Sequence, residues 1–126
     1  MSGEAELALA DFEAASRKFL ARTDRSVDPK RYRAVIDSLD GDFGAVVRDA
    51  QKLGAHLIDG NITAASWIAR TCNMSVTSAA DRLRVGEQLE SLPKVAAALA
   101  SGDIGYQSAS VLCHLREQLG DKRDRF

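Results

Sequence analysis

Residues 63–85 read Thr63-Ala64-Ala65-Ser66-Trp67-Ile68-Ala69-Arg70-Thr71-Cys72-Asn73-Met74-Ser75-Val76-Thr77-Ser78-Ala79-Ala80-Asp81-Arg82-Leu83-Arg84-Val85, and their punctuation decides the fold. Thr63 is placed to cap a helix over Ala64 to Arg70, and Ser75 to cap a second reaching about Glu90. Between them the chain must turn within four residues, and Asn73 tolerates the left-handed conformation that glycine usually supplies there. Ile68, Cys72, Met74 and Ala79 sit where a helix-turn-helix buries its inter-helix contact. Trp67 and Leu83 are expected in the core of this half.

The same helical grammar extends in both directions. Upstream, Leu7, Ala8, Phe12, Ala15, Phe19 and Leu20 recur at three- and four-residue spacing, which predicts an amphipathic helix from Glu4 to Arg22. Thr23 to Asp28 form a polar connector. Asp28 caps the next helix, with Pro29 at its first position, where a missing N–H costs nothing. Val35/Ile36, Leu39, Phe43, Val46/Val47, Ala50, Leu53 and Leu57 hold one stripe in phase across Asp40-Gly41, so one long helix is expected from Pro29 to about Ile58. A break at Gly41 is the alternative, since glycines 41 and 44 each weaken a helix by ~1 kcal/mol. Asp37, Asp40 and Asp49 read as its solvated side. Downstream, a short helix over Lys94 to Ser101 ends at Gly102, and a last one runs from Tyr106 to Leu119. Gly120 is expected to stop it ahead of a charged tail, Asp121 to Phe126. No stretch alternates with period two, so the expected fold is all-α, about six helices in one domain: a long-helix region over 1–60, a helix-turn-helix-like region over 61–120 and the tail.

Composition sets outer limits. The 126 residues are 45% hydrophobic and 28% charged, near the globular average, and 20 of them are alanine, which favours helix. No apolar run is long enough for a membrane span, and the first residues lack the pattern of a secretory signal. Seventeen basic against eighteen acidic residues exclude a bulk nucleic-acid coater. Cys72 and Cys113 are expected as free thiols in a reducing cytoplasm. His56 and His114 have no ligand partner at helical spacing, and Cys113-His114 diverge on a helix, so neither metal nor cofactor is expected.

Two function classes fit the residues. In a DNA-binding helix-turn-helix the start of the second helix enters the major groove. Thr77, Ser78 and Arg82 would then read bases in double-stranded DNA, with Arg70 and Arg84 on phosphates. The alternative is an architectural corner. Arg82 stands where the motif usually wants an apolar residue, and residues 63–85 carry only three basic against one acidic side chain. Seven basic residues between Arg17 and Arg33 against Asp24 and Asp28 make a second basic concentration, read as a phosphate-contacting or a solvated junction. In the second class the chain is an interaction or dimerisation module, self-associating through the Ile36–Leu57 stripe. No Gly-rich phosphate loop and no His/Asp/Ser set is present. The chain is expected to be no enzyme, with no nuclease activity on magnesium, manganese or zinc.

Three blocks carry a family resemblance: Trp67, Ala69, Thr71 and Ser75; then Arg82, Leu83, Arg84, Leu92 and Pro93; then Leu99, Gly102 and Ile104. They resemble the actinobacterial 13E12-repeat family, or domain of unknown function 222, over residues 63 to 108, with a looser fit upstream. Asn73 stands for that family's turn glycine, and Gly105 for its serine cap. The family domain usually continues further and often ends in an HNH nuclease module. The resemblance therefore implies the N-terminal, nucleic-acid-associated part of a longer HNH-type mobile-element protein, without the nuclease.

Overall fold

A computed structural model describes residues 2–58, 60 and 63–123. All regular structure among them is helical: α1 (Ser2–Leu20), α2 (Pro29–Lys52), α3 (Ala55–Ile58), α4 (Ala64–Thr71), α5 (Val76–Leu89), α6 (Pro93–Ser101) and α7 (Tyr106–Arg123). The start signals act as read. Asp28 accepts from Lys30 N, Thr63 from Ser66 N and Ser75 from Ser78 N, each satisfying a first-turn amide left without an intrahelical partner. Asn73 adopts a φ of 58°.

Helix α2 runs unbroken through Gly41 and Gly44, as the phase of its stripe predicts, but it ends earlier than expected. Gly54 takes a φ of +73°, and its N–H bonds Gln51 O. That left-handed residue closes α2 at Lys52, and the four-residue α3 follows. The second departure is at the other end: α7 continues through Gly120 to Arg123, since one helical glycine costs too little to stop a helix. Of the expected tail, 121–123 are therefore helical and 124–126 lie outside the described residues. Asp59 and Asn61, just past the expected end near Ile58, also lie outside them.

Helix α5 is the hub, packing on α2, α4, α6 and α7, with α2·α5 the most extensive contact. Two glycines make that contact possible. A Cβ on Gly86 would lie 2.2 Å from Gly44 O, and one on Gly44 would lie 2.9 Å from Arg82 O, so the two backbones meet directly. Gly41 makes room in the same way for the Leu99 side chain, 2.5 Å from where its Cβ would stand. These close approaches offset the propensity cost of glycine within α2.

The core has two lobes on either side of α5. Val47, Ala64, Ile68, Ala79 and Leu83 form the first, flanked by Phe43, Trp67 and Met74. Val85, Leu99, Tyr106, Ala109 and Cys113 form the second. Leu83 is buried as expected, whereas Trp67 is only half-buried at the lobe's edge, and Cys72 is exposed rather than part of the corner's contact. Among the described residues helix α1 makes no extended contact with another helix. What joins it to α2 is an aromatic clasp: Phe19 and Tyr32 meet edge to face at 5.3 Å, and the Arg22 guanidinium lies 3.7 Å above the Phe19 ring.

Candidate functional site

The helix-turn-helix corner keeps Ile68, Met74 and Ala79 of its expected contact and leaves Cys72 exposed. Ile68 and Ala79 are fully buried between α4 and α5, and Met74 N donates back to Ala69 O across the turn. The side chains expected to face DNA divide into two groups. Thr77 and Arg70 are exposed, at the first turn of α5 and the last of α4, while Ser78 is half-buried. Arg82 and Arg84 turn into the fold.

Arg82 projects across to α2 and α7. Its Nε and Nη2 donate to Asp40 Oδ1 and Oδ2 at 3.3 and 3.1 Å. Its guanidinium also lies 4.6 Å over the Tyr106 ring. The neighbouring Asp81 accepts from Tyr106 Oη at 2.9 Å and Ser110 Oγ at 2.5 Å. Burial first, then the hydrogen bond to Asp81, holds the Tyr106 hydroxyl far above its ordinary titration range. Arg84 pairs with Glu117 of α7 at 2.9 Å. Arg82 and Arg84 thus fasten α5 to α2 and α7 through charge-assisted hydrogen bonds. The reading of Asp37 and Asp40 as a solvated side is corrected here. Asp37 is buried and bonded to Arg33, and Asp40 is half-buried against Arg82; Asp49 alone of the three is exposed. The signal in the sequence was Arg82 itself, a cation where the corner wants an apolar group. Its partners on α2, and Tyr106 and Ser110 on α7, lie too far along the chain to be matched to it from spacing.

The same docking leaves the apolar side of α2 outward. Asp37, Gly41, Gly44 and Val47 are its buried residues. Val35, Ile36, Leu39 and Val46 are exposed, Val46 at 56%, and beyond the end of the helix Leu53 is 85% exposed. Tyr32, Ile36, Leu39, Phe43, Val46, Ala50 and Leu53 alternate spacings of four and three residues, an unbroken heptad a/d seam. A strict 3.5-residue period is the pattern of a helix that pairs with another helix, rather than of one lying on a globular core. Only Phe43, at the seam's inner edge, reaches the first core lobe. Among the described residues no group of three or more His, Cys, Asp or Glu side chains is arranged to hold a metal ion. No helix among them is long and apolar enough to cross a membrane.

The family model described as Domain of unknown function (DUF222) matches residues 4–125. The chain belongs to that family. No curated protein and no solved structure matches it.

Proposed function

We propose, taking DUF222 membership as the premise, that this domain is a helical protein–protein interaction module that self-associates through the outward seam of α2. One observation carries the reading: α2 turns Asp37, Gly41, Gly44 and Val47 inward and leaves Val35, Ile36, Leu39 and Val46 to solvent. The 24 residues of α2 make a rod about 36 Å long, along which the exposed Val35, Ile36, Leu39 and Val46 form one strip. Contiguous apolar surface on that scale marks a docking site in a water-soluble fold.

A second reading, DNA contact by the α4–α5 corner, is favoured by the Asn73 turn and the exposed Thr77 and Arg70. It has less surface to work with. Helix α5 is packed on four other helices, and the guanidinium groups of Arg82 and Arg84 are engaged within the fold.

Sedimentation velocity separates the two. The wild-type chain is expected at twice the monomer mass, and Leu39→Glu with Val46→Glu at the monomer mass with unchanged helicity, because both side chains point outward. A folded wild-type sample that stays monomeric at about 100 µM, where even weak pairing shows, refutes self-association. Duplex binding at low salt in that sample would then favour the corner.

A further inference from the structure

We infer that the α2 seam is covered by helix α1 of a second copy, running antiparallel and exchanged reciprocally. This rests on the self-association proposed above and names the segment that performs it.

Helix α1 is the natural complement. Leu7, Leu9, Phe12, Phe19 and Leu20 are exposed along it, and among the described residues it makes no extended contact with another helix. Ala5, Ala8, Phe12, Ala15 and Phe19 alternate spacings of three and four, so α1 carries the same heptad period as α2. Its seam is mostly alanine punctuated by phenylalanine, and that of α2 is mostly large aliphatic and aromatic. Small-against-large layers are what close packing between two helices needs.

The clasp decides which copy supplies α1. Phe19 is held against Tyr32 of its own chain, and Arg22 stacks on Phe19 while donating to Phe19 O at 2.9 Å. Folding α1 back on its own α2 would have to start from that pair. Antiparallel layers would then match Ala15 with Ile36, Phe12 with Leu39, Ala8 with Phe43 and Ala5 with Val46. The flanking positions that face each other in this register are Asp11 with Asp42 and Glu4 with Asp49, two acid–acid pairs. A register one heptad further along layers Phe19 on Leu39, Ala15 on Phe43, Phe12 on Val46, Ala8 on Ala50 and Ala5 on Leu53. It sets Lys18 beside Asp42 and leaves Asp11 with Asp49 as its one acidic pair. The chain's own α1 cannot take this register while its Phe19 holds Tyr32; an incoming α1 takes it without disturbing the clasp. Because each copy offers both an α1 and an α2 seam, reciprocal exchange about one two-fold axis closes the pair and covers the α2 seam from Leu39 to Leu53 in both copies.

The test is a disulfide placed on the smallest layer. Ala8→Cys and Ala50→Cys are combined on a Cys72→Ser background, which removes the exposed native thiol. Cysteines facing each other across that layer satisfy disulfide geometry, and oxidation is expected to give a covalent dimer that reductant dissolves. Either single cysteine is expected to give none. A sample that sediments as a dimer but forms no interchain disulfide, or closes one within the chain, overturns the exchange and leaves self-association standing. A monomeric wild type overturns both. A charge swap gives an independent readout. Lys18→Glu is expected to weaken association about 3- to 10-fold, counting two symmetry-related pairs, and Lys18→Glu with Asp42→Lys to restore it. Absence of that rescue refutes the register.

Discussion

Replacing Arg82 with alanine separates an architectural from a DNA-reading role, and the structure sets the size of the effect. The side chain makes two charge-assisted hydrogen bonds to Asp40, at 3.3 and 3.1 Å, and lies over the Tyr106 ring. Both partners are partly screened, with 21% and 26% of the Arg82 and Asp40 side chains exposed. Breaking a fully buried pair costs about 3–5 kcal/mol and an exposed one under ~1 kcal/mol. A three-quarters-buried bidentate pair lies between, and removing the cation also leaves Asp40 and Asp81 facing each other without their shared neighbour. Arg82→Ala should therefore destabilise the fold by about 2–3 kcal/mol, a drop in melting temperature on the order of 10 °C. Urea denaturation followed by circular dichroism measures this at fixed protein concentration, since the proposed self-association would make stability concentration-dependent. A double-mutant cycle with Asp40→Ala should return a coupling of about 1–2 kcal/mol. Loss of stability below about 0.5 kcal/mol, together with loss of duplex affinity in a mobility-shift assay, would refute the architectural role and make Arg82 a reader of DNA.

Gly86→Ala would put a methyl group 2.2 Å from a backbone oxygen of α2, so it should cost about 2 kcal/mol or more in urea denaturation despite alanine's better propensity. Gly120→Ala, with nothing within 4 Å, should be neutral or stabilising by up to ~1 kcal/mol; equal effects at the two sites would disprove the close α2–α5 approach. Burial raises the Cys113 thiol, and Cys72 is exposed. A thiol reagent should therefore label one cysteine per folded chain quickly and the second only on unfolding, and mass mapping to Cys113 first would contradict the packing of α7. The folded-state pKa of Tyr106 is raised, so its protonated form is favoured in the fold. The stability it contributes is present below the unfolded value near ~10 and is lost as pH climbs above it. Tyr106→Phe should flatten the loss of stability above about pH 10 relative to wild type, and an unchanged slope would show that burial and the Asp81 bond do not hold the hydroxyl protonated in the fold.

The all-helical class, the caps at Asp28, Thr63 and Ser75, the turn at Asn73 and the passage of α2 through Gly41 were legible in the chain itself. Each depends on residues within one or two helical turns, and such short-range preferences survive any tertiary arrangement. The helix ends at Gly54 and beyond Gly120 were misplaced because a glycine's backbone choice is nearly neutral locally and its surroundings tip it. What the chain could not reveal is which face of α2 is turned inward. Hydrophobic periodicity marks the apolar side and presumes that it is the buried one. Here the backbones of Gly44 and Gly86 come together, Asp40 finds Arg82 forty-two residues away, and the face carrying Asp37, Gly41, Gly44 and Val47 packs inside. Burial is a property of two surfaces meeting, and a sequence records each surface alone. The fold decided that Arg82 is engaged within it and that Ile36, Leu39 and Val46 of α2 face outward.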